Sequence, residues 1–341
     1  MKALVVRRDN IGDLVCTTPL FTALRRRFPQ AWIGALVNSY NAPVLERNPD
    51  LDEVVAYTKL KHLENGRSAL SVLRHRVSSL WRLRRMQLDY VVLATTDFVP
   101  RLARLARWLA PKEIVGFSDG SRRAARALDL CIPVAEMSSR HEVERVFALA
   151  RLFGIESPPP PLRIVPDERE VEAARARLGS RAPHVALHIS ARRPAQRWPA
   201  ERFAALAQRL HQEHHAAVLL LWSPGPGDHP THPGDDEKAR ALVRMAGAPS
   251  WLVPYPTERL QQLIGALAAC DAVICSDGGA MHIAAALGKP TVALFGDSPA
   301  ERWRPWSVRH EVLQAPSRSV LDLQVDDISL AFRQVTQRLA A

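Results

Sequence analysis

The sequence has no run of eighteen or more apolar residues, no C-x-x-C pair and no G-x-G-x-x-G turn. Each absence removes a class of protein. Without a long apolar run, no transmembrane helix is expected. The start, MKALVVRRDN, is a short strand running into charge, not a leader with an apolar core and a small-residue cleavage site, so a cytoplasmic protein is predicted. The four cysteines, Cys16, Cys131, Cys270 and Cys275, are scattered. Cys270 and Cys275 flank or sit within apolar segments, where a reduced buried thiol is the ordinary state, and neither a zinc site nor a disulfide framework is supported. The twelve histidines show no spacing that matches a known metal-site type, so no metal is expected. The first βα turn, RRDNIGD, lacks the glycine fingerprint of a dinucleotide-dependent oxidoreductase. Zinc fingers, RNP-type aromatic motifs and a basic recognition helix are also missing, so no nucleic-acid partner is expected.

What is present describes a globular chain with a lopsided charge. It has 341 residues, 47% hydrophobic and 24% charged, enough for two domains of ordinary size. The net charge is +11, and residues 1–160 hold 25 Lys and Arg against 16 Asp and Glu, whereas residues 161–341 hold 21 against 19. The first half therefore carries +9, concentrated between Tyr57 and Arg126. Such a surface suits an anionic membrane or an acidic substrate; an Arg-rich composition throughout would produce it as well.

Apolar runs of strand length alternate with helical patterns along the whole chain. Strands are predicted at Lys2–Val6, Trp32–Val37, Val54–Ala56, Tyr90–Ala94 and Glu113–Gly116, with helices over Leu14–Phe28, Leu70–Met86 and His141–Gly154. Leu73, Val77, Leu80 and Trp81 share one face of the second helix, with arginines on its other faces. The run Ser157-Pro158-Pro159-Pro160-Pro161 then forms a stiff spacer and a domain boundary. Alternation restarts beyond it, with strands at His184–His188, Ala217–Trp222, Trp251–Val253 and Ala272–Cys275. The expected fold is α/β: two Rossmann-like domains with parallel sheets facing a central cleft, over 1–157 and 162–325, followed by a C-terminal helix within 326–341.

Ligands in such folds bind at the C-terminal ends of strands, where the loops holding Asp13, Ser190 and Asp277 fall. The most informative stretch is SDGGAMHIAAALGKPTVALFG, Ser276–Gly296. It reads as a strand, a turn at Asp277-Gly278-Gly279, a small-residue helix over Ala280–Leu287 and a second strand, which is a βαβ unit. Gly278 and Gly279 allow close backbone approach at a helix N-terminus, where free N–H groups favour an anion, and His282 lies on the first turns. A tight turn beside a capped or surface histidine fits the same spacing. Asp13 precedes a helix, where its charge complements the dipole whether or not it has a further role.

Four segments, in order, resemble glycosyltransferase family 9, the lipopolysaccharide heptosyltransferases, across nearly the whole chain: ALVVRRDNIGDLVCTTPLFTALRRRFP, HEVERVFALARLFGI, WPAERFAAL and SDGGAMHIAAALGKPTVALFG. The resemblance implies a GT-B fold with the acceptor held by the first domain and the nucleotide-sugar by the second. It implies metal-independent inversion with no cofactor, an ADP-sugar as co-substrate, and transfer of heptose from ADP-heptose to a lipopolysaccharide inner-core, lipid A-linked saccharide. Asp13 matches the family's catalytic aspartate, the general base such a mechanism needs. Gly278, Gly279 and His282 would stabilise the leaving diphosphate, and Asp277 would cap or orient the turn.

The resemblance also implies donor-binding roles for Ser190, Gln196, Arg197 and Glu237, the last being one of three neighbouring acids (Asp235, Asp236, Glu237) near the family's ribose-binding glutamate. Gly12, Lys59, Lys61, Arg122 and Arg123 would engage a lipid-linked anionic acceptor, with peripheral contact to the cytoplasmic face of the inner membrane. Two departures stand out: Gly278 replaces the family's usual Thr or Ser, and Gln196 replaces a common lysine. The second keeps another nucleotide-sugar or another surface glycan as an alternative; a non-catalytic saccharide-binding relative is a further one.

Overall fold

The computed structural model describes residues 1–57, 69–179, 183–229 and 233–337. The chain divides into two compact units, Met1–Val165 and Pro166–Ala341. The division falls just beyond the proline run. Leu162 and Ile164 are buried, and the Arg163 N–H donates to Thr18 Oγ1 at 3.0 Å, so this segment is held by the first unit.

The first unit is built on strands β1 (Lys2–Arg7), β2 (Trp32–Asn38), β3 (Glu53–Tyr57), β4 (Tyr90–Leu93), β5 (Glu113–Ser118) and β6 (Leu130–Pro133). All pair in parallel, in the order β3-β2-β1-β4-β5-β6. Its helices are α1 (Ile11–Val15), α2 (Thr18–Arg27), α3 (Ala69–Arg85), α4 (Pro100–Leu109), α5 (Arg122–Ala125) and α6 (Glu142–Phe147). The second unit repeats the plan with β7 (His184–His188), β8 (Ala217–Trp222), β9 (Leu252–Pro256), β10 (Ala272–Ser276), β11 (Thr291–Phe295) and β12 (His310–Gln314), ordered β12-β11-β10-β7-β8-β9. Its helices are α7 (Glu168–Leu178), α8 (Ala200–His214), α9 (Asp236–Met245), α10 (Leu260–Ala269), α11 (Gly279–Ala286), α12 (Ala300–Trp303) and α13 (Val325–Thr336).

The central strands are apolar throughout because helices cover both faces of a parallel sheet. Ala3, Leu4, Val5, Val273, Ile274 and Val292 are all fully buried. In each sheet the chain reverses its winding direction once, between β1 and β4 and between β7 and β10. Ligand sites of doubly wound sheets form beside the strand ends at such switch points.

Local chemistry corrects two expected elements. The helix expected over Leu14–Phe28 is two helices, because Pro19 has no N–H to continue the first and its ring would crowd the Val15 carbonyl. The Thr18 hydroxyl donates to that carbonyl at 2.7 Å instead. The helix expected over His141–Gly154 tightens into a 3₁₀ segment at Ala148–Phe153, and Gly154 ends it at φ 70°. The apolar face expected on α3 is divided: Leu80 packs against the core beside buried Leu83, while Leu73, Val77 and Trp81 are 43%, 45% and 49% exposed.

Trp198 in the WPAERF segment is fully buried, packs edge-on against Phe203 and donates from Nε1 to the Leu323 carbonyl at 3.2 Å. It ties α8 to the segment that leads into α13. Cys16, Cys270 and Cys275 are buried and Cys131 is exposed, and none of the four is in a disulfide. Burial pushes the Cys270 thiol up to about 12 and raises the Cys275 thiol as well, which suppresses their reactivity.

Candidate active site

At the switch point of the first sheet, Arg7 ends β1 with its guanidinium completely buried. It donates to Asp13 Oδ1 at 2.7 Å, to Glu142 Oε1 at 2.9 Å and to the Ala94 carbonyl just beyond β4. Asp9 Oδ2 lies 3.0 Å from its Nε. Burial alone would depress the arginine, but the carboxylates of Asp13, Glu142 and Asp9 outweigh it and hold Arg7 charged.

Asp13 sits in the first turn of α1, and its Oδ2 accepts from the Asn10 backbone N–H at 3.1 Å and from Asn10 Nδ2 at 3.0 Å. Burial would raise this carboxyl; Arg7 and the Asn10 donors overcome that and hold it below the ordinary carboxylate range. The loop is fixed from β2, since Asn38 Nδ2 donates to the Arg8 and Asp9 carbonyls at 2.8 and 3.1 Å. The result is an ionised carboxylate, part-exposed and clamped at both oxygens, which can accept a proton without moving.

Sequence reading singled out neither Arg7 nor Glu142, although both lie in segments that carry the resemblance. It also missed a cationic cluster beside them. Arg8 stacks over the Tyr57 ring at 3.5 Å, and Arg76 lies over the same ring at 4.2 Å. Burial, together with Arg76 and Arg101, lowers the Arg8 guanidinium, with the Tyr57 phenol opposing. Of the residues expected to meet an acceptor, Gly12 is buried in α1, and Arg122 and Arg123 are exposed on α5, whose start Ser121 caps. Lys59 and Lys61 lie outside the described residues.

In the second unit, β10 ends at Ser276, and Asp277-Gly278 leads into α11. Gly278 is extended at φ 160°, and a Cβ built there meets nothing within 4 Å. The backbone therefore does not require glycine. Gly296 is different: a Cβ there would clash with the Ala195 carbonyl, so glycine lets the end of β11 lie flush against the loop carrying Gln196. The helix α11 is buried along most of its length, and its alanines allow close approach to the sheet. His282 is buried in it, edge-on to Trp303 with centroids 5.9 Å apart.

Gln196 and Asp277 come together directly. The Gln196 amide donates to Asp277 Oδ2 at 2.9 Å and to Ser298 Oγ at 3.0 Å, and its backbone carbonyl accepts from Ser276 Oγ at 2.8 Å. Burial raises the Asp277 carboxyl, and Ser298, Arg193 and Gln196 oppose that only in part.

Arg197 is committed elsewhere, to the Ala191 carbonyl at 2.9 Å and to the buried carboxylate of Asp235. Asp236 accepts from Trp222 Nε1 at 2.8 Å and from the Gly225 N–H at 3.0 Å. Two of the three neighbouring acids thus have structural partners, and Glu237 is exposed at the start of α9. Ser190 Oγ accepts from the Ser223 N–H at 2.9 Å. Close by, Lys238 donates to the Ile189 carbonyl at 2.9 Å and lies over the Phe203 ring; desolvation brings its ammonium down to about 8. A lysine on a helix start carried no sequence signal of burial. Among the described residues, no three His, Cys, Asp or Glu side chains are grouped to hold a metal ion.

The family model of glycosyltransferase family 9 (heptosyltransferase) matches residues 76–327. The chain belongs to glycosyltransferase family 9. It is 28% identical over 332 residues to lipopolysaccharide heptosyltransferase 2 of Salmonella typhimurium, covering 92% of this chain and 88% of that one. It superposes on the family 9 glycosyl transferase from Veillonella parvula with a TM-score of 0.81 at 20% identity, covering 99% of this chain and 97% of the other. The E. coli ADP-heptose lps heptosyltransferase II gives 0.78 at 23% identity over 100% of both chains. The fold of this family 9 transferase is accordingly GT-B, and the protein is a glycosyltransferase. Its signature segments do different work. Trp198 of WPAERF is core, while Arg7, Asp13 and Glu142 build one polar network from two segments 135 residues apart.

Proposed function

We propose that this protein is an inverting heptosyltransferase that moves heptose from ADP-heptose to a lipid A-linked inner-core saccharide without a metal ion. The observation that carries this reading is the Asp13 carboxylate, held ionised by Arg7 and Asn10 at the switch point of the first sheet. In an inverting displacement the acceptor oxygen attacks the anomeric carbon, its proton passes to a base, and ADP departs. Asp13 is that base. The backbone N–H groups at the start of α11, with His282, offset the charge growing on the diphosphate. Gln196, with no charge of its own, orients Asp277 and the turn. Glu237 is the acid left to take the ribose, and Ser190 lines the same strand ends. Arg122 and Arg123 meet the anionic acceptor, joined by Arg8 and Arg76. The relatives, a lipopolysaccharide heptosyltransferase and an ADP-heptose lps heptosyltransferase, support these substrates.

A second reading, another nucleotide-sugar, is favoured by one observation. The position of a common family lysine holds Gln196, and the nearby Arg197 is engaged by Asp235. A nucleotide panel separates the two. ADP should raise the melting temperature more than UDP, GDP or CMP, with or without EDTA; preferential stabilisation by UDP, or a shift that EDTA abolishes, would sink the ADP reading.

The open space at Gly278 allows a sharper test. Gly278→Ser should fold with an unchanged melting temperature, because the backbone is extended and the Cβ meets no neighbour. Its hydroxyl adds a donor toward the diphosphate, worth about 1 kcal/mol or roughly fivefold in ADP affinity. Calorimetric titration with ADP measures this, and weaker binding than the parent would place the diphosphate elsewhere.

A further inference from the structure

We propose that the outer face of α3 and α4 is a docking surface for an anionic phospholipid bilayer. On α3, Leu73, Val77 and Trp81 follow one another at four-residue spacing, so they form a single stripe, and all three are exposed. On α4, Leu102, Ala103, Ala106 and Leu109 face the core, while Arg101, Arg104 and Arg107 face outward with Trp108. The two helices meet at Trp81 and Trp108, whose rings pack edge to face with centroids 5.5 Å apart. The Arg84 guanidinium lies 5.4 Å from the Trp108 ring centroid. The apolar stripe and the arginine row are therefore one patch.

Charge selects the occupant. The two helices contain eight arginines and no acidic residue. Arg82 pairs with Glu53, but Arg74, Arg85, Arg101, Arg104 and Arg107 are exposed. Exposed aliphatic side chains call for an apolar phase, and the cations beside them call for a negative layer at its edge. Tryptophans at the boundary, with an apolar ring and one N–H donor, suit the zone between acyl chains and headgroups. An anionic bilayer supplies all three, as it does for a basic amphipathic helix lying in the interface. A second copy of this chain would bring a second set of arginines against the first. The inference deepens the lipid-linked acceptor of the proposed function by naming the surface through which the enzyme reaches that acceptor's membrane.

The test is co-sedimentation of the full chain with two sets of vesicles, phosphatidylcholine alone and phosphatidylcholine with phosphatidylglycerol, neither containing any saccharide acceptor. The parent should bind only the anionic vesicles, less so at high salt, with a blue shift of tryptophan emission and quenching by brominated lipid. Arg104→Glu with Arg107→Glu, both exposed, should lower the partition coefficient by about tenfold or more. Trp81→Ser with Trp108→Ser should do the same and abolish the quenching. If the tryptophan variant does not fold, the arginine variant decides. Failure of the parent to bind anionic vesicles overturns the proposal, as does parent-like binding by the arginine variant. A tryptophan variant that changes the molecular mass in solution while still binding vesicles would instead assign the face to a second copy. Transfer to a detergent-solubilised lipid A-linked core saccharide in the absence of vesicles, measured in parallel, reports the enzymatic reading separately: its absence alongside vesicle binding would sink that reading and leave this one standing.

Discussion

Asp13→Asn should reduce turnover by roughly a hundredfold or more, about 2.7 kcal/mol of transition-state stabilisation, with ADP affinity unchanged. The asparagine keeps the size and can still accept from Asn10, so the loop stays tied through the Asn38 bonds to the Arg8 and Asp9 carbonyls. What it loses is the ability to take a proton. Nucleotide affinity should hold because the residues assigned to ADP belong to the other unit. The pH profile sharpens the assignment. Arg7 and Asn10 hold the Asp13 carboxyl down, so it becomes a protonated, useless base only below the ordinary carboxylate range. The acid limb of kcat/KM in the parent should lie correspondingly low, and Asp13→Asn should erase it. Near-normal turnover in the variant, or an acid limb that survives it, would remove Asp13 from the chemistry.

The second large effect concerns stability. Arg7→Met should destabilise the protein by about 3–5 kcal/mol, the scale of breaking a buried ion pair from one side. Glu142 is completely buried and Asp13 largely so, and the substitution takes the guanidinium from Asp13 and leaves Glu142 to Arg145, whose Nε lies 4.0 Å away. The sign with pH follows from linkage. A carboxyl held low by the fold adds stability above its unfolded pKa, and loses it as pH falls through the folded value. The Arg7–Asp13 part of that stability is therefore complete at neutral pH. The gap between parent and variant should shrink on acidification, because the Asp13 carboxylate, without Arg7 in the variant, then protonates at little cost. Urea unfolding at neutral and acidic pH measures both gaps. Equal stabilities at neutral pH would mean that water or another cation takes over from Arg7.

The sequence conveyed the alternation of β and α, and with it the strand ends at Asp13, Ser190 and Asp277, because buried parallel strands are continuous apolar runs. Of the four edge strands it conveyed β3 and β9 and not β6 or β12. β6 is LCIP, closed by a proline, and β12 is HEVLQ, half-buried at every residue, so neither has the composition of a central strand. Side-chain partnerships lay further out of reach. Nothing local indicates that Arg7 meets Glu142 across 135 residues, or that the Gln196 amide turns to Asp277 across 81. The helical spacing of Leu73, Val77, Leu80 and Trp81 marked an apolar face of α3, but periodicity cannot say that Leu80 meets the core and the other three do not.

The central claim is best tested by incubating the purified protein with ADP-heptose and a lipid A-linked core saccharide lacking its last heptose, with EDTA present, and weighing the product by mass spectrometry. The account predicts a gain of a single heptose, stoichiometric release of ADP, inverted anomeric configuration, and loss of the product with Asp13→Asn. Transfer from a UDP- or GDP-sugar but not from ADP-heptose, or a product formed only when a divalent ion is restored, would contradict it.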